Sequence, residues 1–280
     1  MLRTVLRAGA LIAAAALLVS AQDGFRWPNG ARAAVALTYD DGIDAHLDNA
    51  MPDLEARHLR GTFYVPGNSR SLANRMEDWR ASARRGHELG NHSIFHPCLR
   101  VDARGRERTF VTPERNLDNY TVRRISDEIA ANNTLLQAVD GKRVRTYAYP
   151  CCDITAGGAS YVEALRPLFP AARGGEYEGL VVSDLRARDL HNVTSWMVAK
   201  VSGEAMIKFV KQAVDAGGLA VVMFHGVGGG HGINVDREAH QQLLAWLDQN
   251  RKLVWTDSFL KVTGHIAAER QRLGWKNPHP

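Results

Sequence analysis

The chain has 280 residues, 45% of them apolar and 23% charged, which suits one large α/β domain or two small ones and excludes a disordered chain, a collagen-like fibre and a multi-span membrane protein. Three cysteines are too few for a fold built on disulfides. The net charge of +5 comes without any long run of Lys or Arg, so nucleic acid is not an expected partner.

In chain order, Arg3 and Arg7 precede an apolar run at 8–19. As a helix it would span roughly 18 Å, short of the roughly 30 Å hydrocarbon core. Val19-Ser20-Ala21 then supplies small residues for cleavage. This is the pattern of a signal peptide at 1–21, with an uncleaved anchor as the other reading. It predicts export and a mature chain, 22–280, read as a single domain without a stable membrane span.

An apolar run at 33–39 ends in an acidic turn and reads as a buried strand. A helix at 47–57, a strand at 61–65, a helix at 79–85 and a short strand at 88–90 follow, the last before a histidine-rich turn. The amphipathic helix at 126–139 takes Ser126 as N-cap, Asp127 and Glu128 in its first turn and Gly141 as its stop. Next come a strand at 146–149, a helix at 160–168, a strand at 193–198 and a helix at 204–216. The most apolar strand, 219–224, precedes a helix at 237–250, a strand at 253–255 and a last helix at 257–270. Strands alternating with helices predict a parallel sheet, open or closed as a barrel. The stretch 98–120 fits neither period and reads as a long loop, of the kind that is functional or mobile.

Three segments carry chemistry. Thr38-Tyr39-Asp40-Asp41-Gly42 ends the first strand with adjacent carboxylates. On an extended backbone these diverge, so one can bind a cation while the other stays free as a base; Asp-Asp-Gly is also a common turn. His92 and His96, at i and i+4, share one face of a helical turn, close enough for one metal or simply a solvated pair. His225 follows the most apolar strand directly, as a site residue or a structural one. All three segments fall at strand C-terminal ends, where parallel α/β folds keep their sites. Two histidines and a carboxylate leave an ion open to water, with a second carboxylate as base and a further histidine as acid.

These segments resemble the polysaccharide deacetylases, the NodB-homology group or carbohydrate esterase family four, over about 33–268. The run at 38–42 matches the family's first motif, which implies Asp40 as general base and Asp41 as metal ligand. Gly86-His87-Glu88-Leu89-Gly90-Asn91-His92-Ser93-Ile94-Phe95-His96 matches the second, implying His92 and His96 as the other ligands. Tyr147-Ala148-Tyr149-Pro150 stands at the third, and Val222-Met223-Phe224-His225 at the fifth, implying His225 as general acid. The resemblance implies a distorted, incomplete (β/α) barrel and one divalent metal, Zn²⁺, with Co²⁺ or Mn²⁺ as alternatives. It implies hydrolysis of N- or O-acetyl groups on a polysaccharide or oligosaccharide. A small cyclic amide or imide as substrate, or a catalytically silent carbohydrate-binding protein, are the competing readings.

Two departures stand out. Ala148 occupies the position where many members carry an arginine, so the partner that tunes the base is expected to be missing. Cys151-Cys152 replaces the Tyr-Gly that often follows, leaving the Cys151 N–H as oxyanion donor. Tyr149 and Pro150 are pocket candidates. Trp196 is either plain core or a substitute pocket wall, and His231 either a solvated loop residue or close to substrate. With His96 on the metal and the Cys151 N–H at the oxyanion, Cys98 and Cys151 lie on neighbouring loops at one rim. A Cys98–Cys151 disulfide is therefore expected, with Cys152 free and directed into the core. Three buried thiols, or pairing through Cys152, are the alternatives.

Overall fold

The computed structural model describes residues 24–175 and 179–276. The expected signal peptide lies outside them. The main sheet has eight strands: β1 (Ala33–Asp40), β2 (Thr62–Val65), β3 (Glu88–Asn91), β4 (Tyr147–Ala148), β5 (Ala172–Arg173), β6 (Trp196–Met197), β7 (Leu219–Phe224) and β8 (Val254–Asp257). Every pairing is parallel, in the order β5-β4-β3-β2-β1-β7-β6. β8 pairs with the first half of β1, at Ala33 to Ala36, and β2 with its end, at Thr38 to Asp40. A lone parallel bridge between Arg173 and Val193 spans the seam between the outer strands. The result is the expected distorted and incomplete barrel.

β1 shows why the sequence folds this way. It is buried along its whole length, and its alternate residues serve different layers. Ala33, Val35, Leu37 and Tyr39 join the cluster that includes Leu54, Trp79, Phe209 and Leu243 on the surrounding helices. Ala34 and Ala36 face inward, in the cluster with Tyr64, Ala148, Val221 and Phe259. The same parity carries on through Thr38 to Asp40, so the strand delivers Asp40 to the mouth of the barrel. Small inward residues below it leave room for the chemistry above.

Several elements differ from expectation. The helix expected at 126–139 runs Val122–Asp140, because Thr121 is its cap: Thr121 Oγ1 accepts from the Arg124 N–H at 3.1 Å. Ser126 instead donates to the Val122 carbonyl within the helix, at 2.7 Å. The polar first turn hid this start. Gly141, at φ 74, is the stop, as expected. The helix expected at 47–57 is a π-turn, His46–Ala50, running into Met51–Glu55. Residues 193–198 keep only the two-residue strand β6. No sequence period announced β5.

Candidate active site

The ends of the parallel strands build one cavity of about 610 Å³, lined among others by Asp40, Asp41, His96, Tyr149, Cys151, His225 and His231. Asp40 is the last residue of β1. Asp41 follows with φ 81, so the chain leaves the extended path and both carboxylates face the same space. They do not diverge as an extended backbone would require. Their partners distinguish them instead.

Asp40 is 3% exposed, and its Oδ2 accepts from Arg173 Nη2 at 2.5 Å. Its Oδ1 is buried with no hydrogen-bond partner. Arg173 is fully buried. It donates from Nη1 to Ser195 Oγ at 3.2 Å, and its guanidinium lies 5.1 Å from the Tyr64 ring centroid. Burial opposes the charge on Arg173, but Asp40 and its other neighbours together more than restore it. Sequence reasoning missed this residue. Ala148 and Arg173 are register partners across β4 and β5. The arginine absent from position 148 is thus supplied by the next strand, one step sideways. The signal was present as an arginine inside Ala171-Ala172-Arg173-Gly174, but its meaning is spatial.

Asp41 faces histidines. Its Oδ1 lies 3.4 Å from His96 Nε2 and 3.7 Å from His92 Nε2, and its Oδ2 lies 3.6 Å from His231 Nε2. Burial would raise this carboxyl, but His96, His225, His92 and His231 bring it down to about 2. His92 and His96 do not sit on a helical turn. They frame a loop in which Ser93 and His96 take φ 59 and φ 52. The loop is held by Asn91 Oδ1, which accepts from Ser93 N–H at 2.8 Å, and by Ser93 Oγ, which accepts from His96 N–H at 3.0 Å. The ring centroids end 4.7 Å apart.

The donor set suits a divalent ion. Asp41, His92 and His96 each offer an atom within 4.8 Å of the others. His92 Nδ1–H donates to the Ala148 carbonyl at 2.8 Å, which leaves the Nε2 lone pair facing Asp41. Burial holds His92 down at about 4, so the ring is neutral, as a ligand must be. His231 is set the other way. Its Nδ1 accepts from the Ile233 N–H at 3.0 Å, so in the neutral ring the proton is on Nε2, on the side of the Asp41 carboxylate but beyond hydrogen-bond length. His225 stacks on His231, with centroids 5.0 Å apart. Its Nδ1 is buried without a hydrogen-bond partner, and its carbonyl accepts from His46 Nε2 at 2.8 Å. Burial lowers His225 below the usual range.

Cys98 and Cys151 are joined, with Cα atoms 5.7 Å apart. The bond ties the long loop at 98–120 to the turn that follows β4. Cys152 is free but does not point into the core: it lines the cavity, and burial raises its thiol to about 11. Cys151 and Cys152 both take positive φ, at 54 and 63, so the rule for extended neighbours does not apply to them. Trp196 is no pocket wall. In β6 it packs on Phe209, with centroids 5.0 Å apart, and strand parity turns Met197 to the cavity instead. Pro150 is buried beneath the turn, and the cavity is lined by Tyr149, Cys151 and Cys152 around it.

Residues 28–165 match the family model for polysaccharide deacetylase. A curated relative, the peptidoglycan-N-acetylmuramic acid deacetylase PdaA of Bacillus subtilis, is 27% identical over 138 residues, which are 48% of this chain and 43% of the relative. The match therefore spans less than half of that relative's length. Among solved structures, a polysaccharide deacetylase from Mycobacterium smegmatis superposes with a TM-score of 0.61 at 16% identity, covering 88% of this chain and 94% of that one. BA3943 of Bacillus anthracis, described as a CE4 family pseudoenzyme, superposes at 0.50 with 15% identity, over 82% of this chain and 65% of that one. At such identities these two likenesses speak for the fold alone.

Proposed function

The chain belongs to the polysaccharide deacetylase family, and from that premise we propose that it is an exported, metal-dependent hydrolase that removes acetyl groups from a glycan. Residues 22–280 would act as one catalytic unit. The observation that carries the reading is the unequal treatment of two neighbouring carboxylates: Asp40 is held by Arg173 with one oxygen left over, and Asp41 sits among histidines.

In this reading Asp41, His92 and His96 hold the ion. Zn²⁺ fits one carboxylate and two imidazoles, with Co²⁺ or Mn²⁺ as alternatives. A bound ion there would polarise the acetyl carbonyl and acidify a water. Asp40 receives the water's proton on Oδ1 while Arg173 fixes Oδ2, so the base cannot swing away from the cavity. His231, with Nε2 3.6 Å from Asp41 Oδ2, adds a third imidazole beside Asp41 on the side away from the two ligand histidines. The Cys151 N–H supports the developing oxyanion. His225 protonates the departing amine or alkoxide, its ring held against His231. Tyr149 closes one side of the acetyl pocket.

The name of PdaA makes a cell-wall glycan one substrate class to test. The experiment is acetate release from acetylated chito-oligosaccharides, peptidoglycan and acetylxylan, with and without chelator. Chelator-sensitive release from at least one is expected. Release that ignores chelation, or none from any of the three, contradicts the reading.

A further inference from the structure

We propose that a groove leading out of the cavity past His96 binds a second sugar ring of the substrate, with Phe95 and Phe110 as its stacking faces. The proposal rests on the reading of the site as a glycan deacetylase and makes its substrate a chain of sugars. The groove is lined by Phe95, His96, Cys98, Phe110, Val111 and Arg115. It shares His96 and Phe110 with the catalytic cavity, so a molecule whose acetyl group lies beside His96 continues into it.

Phe95 is 45% exposed and Phe110 66%, the most exposed large apolar side chain among the described residues. Neither ring contributes to the buried clusters of the fold, so burial does not explain them. Both stand on firmly held backbone. The Phe95 N–H donates to Glu128 Oε1 at 2.9 Å. The Phe110 stretch is anchored by its buried neighbour Val111 and by the Val111 N–H donating to the Arg108 carbonyl at 3.0 Å. Arg108 in turn reaches Asp153 Oδ2 at 2.7 Å, and Leu99 N–H donates to the same oxygen at 2.8 Å. The disulfide closes the far side. A face ordered before binding loses little entropy when it is covered.

The chemistry of the groove matches one kind of occupant. A pyranose ring is apolar on its C–H faces and ringed by hydroxyls. Its faces pack on aromatic rings. Arg115, whose guanidinium lies over the Phe95 ring at 6.0 Å from its centroid, brings N–H donors to the same surface, leaving the other face of the ring for a sugar and the donors for its hydroxyls. An apolar groove with a few placed polar groups is the usual form of a small-ligand site.

The test compares kcat/KM for acetate release across a length series of the acetylated oligosaccharide, from the single sugar upward. In the wild type, longer substrates should be better. In Phe95→Ala and in Phe110→Ala, the ratio of kcat/KM for the chain to that for the single sugar should fall by about three- to tenfold, the scale of one aromatic contact. Phe95→Tyr and Phe110→Trp, which keep a stacking face, should restore it. A wild type that releases acetate but whose ratio is the same in both alanine variants overturns the subsite and leaves the reading of the site intact. A wild type that releases acetate from none of the series overturns both.

Discussion

The floor and the wall of the cavity are made by different means. The floor consists of residues at the ends of parallel strands: Asp40 on β1, Arg173 on β5, His225 after β7 and His92 after β3. Sheet register sets them, and Asp40, Arg173 and His92 are almost completely buried. The wall is the loop at 98–120, which brings Arg108 and Phe110 to the cavity. It has no strand of the main sheet; isolated bridges such as Cys98 to Asn116, the disulfide, the bonds to Asp153 and the buried side chains of Leu117 and Tyr120 hold it. A one-residue slip in β1 would turn Asp40 out among the helices. The same change in the wall would alter what touches substrate and leave the floor standing. Chemistry built on register and selectivity built on ties can therefore change independently. The floor should be vulnerable to charge and to acid, and the wall to reductant.

The sharpest way to break that division is at Arg173. Arg173→Met leaves a buried Asp40 without its partner, a loss of about 3–5 kcal/mol for such pairs. Acetate release should also fall on the order of a hundredfold, since the base is no longer held in place. A variant of wild-type stability and rate would mean that the strand-end arginine does not position Asp40. The wall is probed by Cys98→Ala/Cys151→Ala. The bond spans 53 residues, worth at most about 4 kcal/mol in the chain-entropy account. Urea unfolding should show a loss in this range, and reductant should reproduce it in the wild type. If neither does, the loop is held by its hydrogen bonds and by the packing of Leu117 and Tyr120, without help from the disulfide.

The smallest effect separates floor from wall by pH. His46, fully buried behind His225, is held down at about 4 by burial. The unfolded chain takes up a proton near the ordinary 6.5, which the folded chain refuses. Stability is therefore full above about 6.5 and is lost as pH falls toward about 4. Between pH 7 and pH 5 the share from His46 alone is roughly 2 kcal/mol. His46→Gln should flatten the slope of stability against pH by that amount. An unchanged slope would show that His46 is not the group responsible.

Much of the floor was legible because its residues are neighbours in the chain. Asp40 with Asp41, and His92 with His96, each lie within five residues, and the apolar runs of β1 and β7 marked the strand ends beside them. What failed was local geometry. Asp41, His96, Cys151 and Cys152 all take positive φ, which no spacing rule for strands or helices anticipates. That is why the histidines were expected on a helical turn and Cys152 in the core. Arg173 was hidden for another reason. A two-residue strand has no period, and the residue's role exists only through its register with Ala148. Trp196 and Met197 differ by one step of strand parity, which sets one on Phe209 and the other at the cavity.

The central claim is that adjacent carboxylates divide the work, Asp41 holding the ion and Asp40 moving the proton. Bound metal and acetate release, measured together on wild type, Asp40→Asn and Asp41→Asn, test it most directly. The account predicts about one equivalent of divalent metal on the wild type. Asp40→Asn should keep that metal and lose a hundredfold or more in rate, while Asp41→Asn should lose both. Near-normal turnover in Asp40→Asn, or equal loss of metal in the two variants, would contradict it.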